Sequence, residues 1–101
     1  MTYEQILKKF LKAYNCAITI NVVPNGFSLS DAYVGYVFNG EKCIYSTPML
    51  QLRSDVCLDV FHRLWEGEPE FRLALGVDDM PYVEFTSPEE LEMKLSVIGV
   101  L

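Results

Sequence analysis

The stretch AYVGYVFNGEKCIYST, Ala32 to Thr47, decides the fold. Asn39-Gly40 divides two runs rich in Tyr, Val, Phe and Ile, and Asn-Gly in that setting is the strongest short-range signal of a β-hairpin. A type I′ turn needs positive φ at both central residues, which Asn and Gly accept at little steric cost. Counting outward from such a turn pairs Phe38 with Glu41, Tyr36 with Cys43 and Val34 with Tyr45 on one face. Val37 with Lys42, Gly35 with Ile44 and Tyr33 with Ser46 fall on the other. Neither face is wholly polar, so one is expected to meet helices and the other to be partly covered.

Upstream, Ala17 to Val23 alternates as a strand, and Pro24-Asn25-Gly26 breaks it, because proline cannot donate to a ladder. Before that strand, Thr2 and Gln5 have the spacing of a capping box. Tyr3, Ile6, Leu7, Phe10, Leu11 and Tyr14 then form one apolar stripe, with Lys8, Lys9 and Lys12 opposite, which predicts a core-packing helix over 3–14.

Downstream, Pro48 suits a first helical position, Ser54 is a second candidate cap, and the strongest helix is predicted over 55–65. Its apolar arc is Val56, Cys57, Leu58, Val60, Phe61, Leu64 and Trp65, while Asp55, Asp59, His62 and Glu66 share the opposite side. Gly67 is the expected stop. A short helix is expected from Pro69 toward Gly76, then a loop at Asp78-Asp79-Met80-Pro81. Tyr82 to Phe85 alternates like a fourth strand. Ser87-Pro88-Glu89-Glu90 combines an N-cap, a proline at the first helical position and acids against the helix dipole, with Leu91, Leu95 and Ile98 turned inward. The expected fold is α+β over residues 1–101 as one domain. It has an N-terminal helix, a three- to four-stranded mainly antiparallel sheet with a central Asn-Gly hairpin, and two to three helices packed on one face.

The composition narrows the function classes. Half of the 101 residues are hydrophobic and 22% are charged, an ordinary globular balance. No apolar run approaches the length of about 20 residues that spans a bilayer, and three lysines on an otherwise acidic chain make a membrane-surface helix a poor reading. Three cysteines, Cys16, Cys43 and Cys57, an odd number without short paired spacing, suggest reduced thiols in the cytoplasm.

Net charge is −6, and its distribution is lopsided. Glu66 to Glu92 holds nine acids and one base, a net of −8, which leaves the rest of the chain at +2. Direct nucleic-acid binding is therefore not expected, since that affinity comes from Lys and Arg on phosphates.

No catalytic, cofactor or metal site is expected. His62 is the one histidine, and helical geometry turns it away from Cys57, whereas a nucleophile and its base must meet within hydrogen-bond reach. Asp55, Asp59 and His62 suit a divalent metal by type, but no second ligand cluster accompanies them. The glycines are scattered singly, without a phosphate-binding loop.

The acidic side carries what functional signal there is. A row from Asp55 to Glu66 extends about 16 Å along a helix and runs on in sequence into further acids. Carboxylates so arranged offer negative oxygens to Lys and Arg as phosphates do. Several small phage-encoded anti-restriction and anti-CRISPR proteins inhibit nucleic-acid enzymes by this mimicry; the likeness is one of mechanism. The expectation is a non-enzymatic protein-binding module that inhibits a basic, nucleic-acid-binding partner. Its contact residues would be Asp55, Asp59, His62, Trp65, Glu66, Glu68, Glu70, Asp78 and Asp79. The alternative is a structural or assembly subunit that forms a homo-oligomer through its apolar C-terminal residues or a sheet edge.

Overall fold

The computed structural model describes residues 1–24, 31–66, 69–77 and 82–101. The expected breaks at Asn25-Gly26 and Gly67, and the Asp78 to Pro81 loop, lie outside the described residues. Three strands, β1 (Cys16–Val23), β2 (Ala32–Asn39) and β3 (Lys42–Ser46), form one antiparallel sheet in the order β1-β2-β3. Helix α1 (Tyr3–Ala13) precedes it; α2 (Arg53–Glu66), α3 (Pro69–Leu75) and α4 (Pro88–Val97) follow. The architecture is α+β.

The hairpin is there, but its turn is not the expected one. Asn39 pairs with Lys42 and Phe38 with Cys43, so the two-residue loop is Gly40-Glu41. Gly40 has φ +62° while Asn39 and Glu41 keep negative φ. Glycine first in a two-residue loop is the pattern of a type II′ turn, not I′. Beyond Phe38 the register shifts once more: Val37 meets Tyr45 and Tyr36 meets Ser46, with Ile44 as the extra residue of a bulge. An odd shift exchanges faces, and this one brings Tyr45 onto the face of Val37, toward the helices.

That inner face also carries Ile18, opposite Val37, and Gly35. A Cβ on Gly35 would lie well inside van der Waals contact with Val56 Cγ1, so α2 approaches the sheet only because no side chain stands there. Thr47, buried, closes the same point: Gly35 N–H donates to its hydroxyl at 2.9 Å, and Thr47 N–H donates to Gly35 O at 2.9 Å. On the outer face Ala17, Thr19 and Asn21 are exposed beside half-buried Phe38, Tyr36 and Val34.

The core is a continuous cluster. Ile6, Leu7, Phe10 and Leu11 of α1 meet Ile18, Val37, the apolar face of α2 (Val56, Cys57, Val60, Phe61, Leu64), and Leu91 and Leu95 of α4. The capping box at Thr2 and Gln5 forms, as does the Ser87 cap, whose hydroxyl accepts from Glu90 N–H at 3.2 Å. Four local expectations fail. Residues 82–85 join no sheet, so three strands stand where a fourth was allowed. No helical turn forms at Pro48, because Leu50 bridges back to Tyr33 through bonds of 2.7 and 2.9 Å. Ser54 lies inside α2, which begins at Arg53. Ile98 is the C-cap of α4 and is exposed rather than inward.

Candidate functional site

Helix α2 carries the residues singled out in the sequence, and its two sides separate as its periodicity requires. Cys57 is fully buried, with burial pushing its thiol up to about 11, while His62 is exposed on the far side of the helix. Asp55 and Asp59 are half-buried; Glu66 is exposed.

Asp59 is engaged within the fold. Its carboxylate accepts a 2.6 Å hydrogen bond from the Tyr45 hydroxyl, and that hydroxyl accepts in turn from Arg63 Nε at 3.2 Å. The Arg63 guanidinium also stands 5.8 Å from the Tyr45 ring centroid. Burial first, then the Asp59 contact, raises the Tyr45 phenol above its ordinary value, with Arg63 pulling the other way. The Asp59 carboxylate is therefore held by Tyr45, whose hydroxyl Arg63 also binds, and the row is not an unbroken line of bare carboxylates. Glu70, on α3, is exposed and lines a groove of about 480 Å³ together with Lys42, Arg63 and Tyr45. Glu68, Asp78 and Asp79 lie outside the described residues.

The other end of α2 gathers a different group. Glu66 accepts from the Tyr82 hydroxyl at 3.3 Å, and its carboxylate lies 3.7 Å from His62 Nδ1. His62 and Trp65 form one wall of a cleft of about 520 Å³, which Tyr3 and residues 82–86 complete. Trp65 stacks on Phe61 at 5.4 Å and 13°, Phe85 sits 6.1 Å from Trp65, and Tyr3 sits 5.7 Å from Phe85. Leu58, Glu90 and Lys94 complete the lining. The Lys94 ammonium, 2.9 Å away, and then the Thr86 hydroxyl hold the Glu90 carboxyl below its usual range, so it is charged at neutral pH. Trp65 Nε1 is buried without a hydrogen-bond partner, an arrangement that costs about 1–3 kcal/mol.

Of the expected contact residues, the structure thus places His62 and Trp65 in the cleft wall, with Glu66 bonded to Tyr82 beside it, Asp59 bonded to Tyr45, and Glu70 on the groove that Lys42 and Arg63 also line. Sequence reasoning missed Tyr3, Tyr82, Glu84, Phe85 and Glu90. The alternation from Tyr82 to Phe85 was the usable signal: Tyr82 and Glu84 are exposed, Val83 is buried and Phe85 is half-buried, although no strand pairs with them.

Among the described residues, no three His, Cys, Asp or Glu side chains converge as a metal would need, and no helix is long and apolar enough to cross a membrane. The three cysteines are free. Compared with protein-family models, curated proteins and solved structures, the chain matches none of them.

Proposed function

We propose that this chain is a non-enzymatic protein-binding module that presents an acidic and aromatic surface to a basic, nucleic-acid-binding partner and competes with that partner's nucleic acid. One observation carries the proposal: His62, Trp65 and Glu66 of α2 share a cleft region with Tyr82, Glu84 and Glu90. Aromatic anchors amid carboxylates are what a basic protein surface binds. The asymmetry of charge supports it, with −8 between Glu66 and Glu92. The free thiols fit a reducing compartment, and we place the module in the cytoplasm. It works, in this proposal, as several small phage-encoded anti-restriction and anti-CRISPR inhibitors do, by occupying a surface made for phosphates.

The test is capture of the partner from a nuclease-treated lysate, followed by competition. Release by salt and displacement by added DNA or RNA is the expected result. Asp55→Lys with Glu66→Lys and Glu70→Lys should then slow association with the captured protein; Asp59 is left intact because Tyr45 depends on it. Capture that ignores both nucleic acid and these substitutions would overturn the proposal.

A second reading has its own observation. Met93, Val97 and Ile98 are exposed, Val97 to 80%, on and just after α4. A homo-oligomer formed there would persist at high salt in light scattering and dissociate on Val97→Glu.

A further inference from the structure

We infer that the cleft between α2 and residues 82–86 receives an arginine side chain of the partner, a proposal that rests on the protein-binding reading and names its contact point. The cleft is walled by Tyr3, His62, Trp65, Tyr82 and Phe85 and edged by Glu84, Glu90 and Lys94. Ring faces attract cations, and a planar guanidinium both stacks on them and forks to carboxylates, which a compact ammonium does less well.

The same fold already holds a filled version of this chemistry. At Tyr45 an aromatic ring, the Asp59 carboxylate and the Arg63 guanidinium come together. The cleft has the rings and the carboxylates, yet among the described residues no cation stands over Tyr3, Trp65, Tyr82 or Phe85. Lys94 is committed to oxygen atoms, donating to Glu84 O at 2.6 Å and pairing with Glu90 at 2.9 Å. The Glu84 carboxylate enters no ion pair among the described residues.

One further feature selects a peptide over a free cation. Beside the cleft, sharing Tyr82, Val83, Glu84 and Lys94 with it, lies a depression of about 280 Å³ completed by Val97 and Ile98. The occupant is therefore a basic segment with an apolar residue next to its arginine.

Trp65 is the only tryptophan, so its single indole N–H resonance reports on the cleft directly. The full chain would be titrated with the blocked peptide acetyl-Leu-Gly-Arg-amide, and with the same peptide carrying citrulline or lysine in place of arginine. The expected result is a saturable shift with arginine, about tenfold weaker with neutral citrulline. Glu84→Gln and Tyr82→Ala, both at exposed positions, should each weaken the arginine peptide severalfold. Equal binding of citrulline or lysine, or an indole resonance that stays put at tens of millimolar peptide, would overturn the assignment. Because the peptides stand apart from any captured partner, failure here is distinguishable from failure of the lysate competition.

Discussion

The Tyr45 hydroxyl donates a 2.6 Å hydrogen bond to Asp59, tying the last strand of the sheet to the middle of α2. The bulge at Ile44 makes this possible by turning Tyr45 inward. Tyr45→Phe should cost about 1–2 kcal/mol, since the acceptor is charged and half-buried. Burial and Asp59 raise the phenol above its ordinary value, so the folded chain keeps this proton to higher pH than the unfolded chain does. The stability it supplies is complete below about pH 10 and is lost as pH rises through the folded value. Urea midpoints of the wild type and Tyr45→Phe should therefore converge in alkali; a gap that persists unchanged would rule this coupling out.

Gly35 admits α2 to the sheet. A methyl group there meets Val56 Cγ1, and the neighbouring Thr47 and Ile18 leave little room for relief. Gly35→Ala should destabilise the fold by about 1–3 kcal/mol through overpacking. Combining it with Val56→Ala, which removes the opposing atom, should recover part of that loss. A double mutant no better than the sum of the singles, in a denaturation cycle, would show that the close approach is not the cause.

The three thiols should separate by environment. Cys43 is exposed on β3; Cys16 and Cys57 are buried, and burial raises both thiols, Cys57 to about 11. Brief iodoacetamide treatment of the native protein at neutral pH should modify Cys43, with all three modified in denaturant. Mass spectrometry of the digest reads this out, and rapid native labelling of Cys57 would contradict its place in the core.

The legible parts of this chain were those where a local pattern and its tertiary setting agree. The α1 stripe from Tyr3 to Leu11, the Thr2 and Ser87 caps, and the apolar arc of α2 all stand as their spacing predicts. Hairpin register failed because Asn-Gly favours I′ only when both residues enter the loop, and here Asn39 stays in the ladder. Its side-chain amide donates across to Ala74 O at 3.3 Å, a contact 35 residues away that the hairpin sequence cannot reveal. The stretch from Tyr82 to Phe85 alternates in burial because α2 and Tyr3 lie under one side of it, which from sequence is indistinguishable from lying on a sheet. The acidic row was visible as acids; that Asp59 answers to Tyr45 and Arg63 needed the bulge.

Glu4 links the two long helices: its carboxylate binds Arg53 of α2 and, one turn along α1, Lys8 at 2.9 Å. The Arg53 contact, with Lys8 adding to it, holds Glu4 below the usual carboxylate range against a burial cost that works the other way. A depressed carboxyl supplies stability that is present above the unfolded value, about pH 4.3, and lost as pH falls through the folded one. Arg53 is about half exposed, so solvent screening limits the size of the effect. Glu4→Gln should cost about 0.2–1 kcal/mol near neutral pH in dilute buffer. The cost should shrink in high salt, where exposed pairs are screened, and vanish in acid once the wild-type carboxyl is protonated. Arg53→Gln should reproduce both dependences. If instead Glu4→Gln costs the same at every pH and salt concentration, the carboxylate contributes through packing on α2 rather than through its charge.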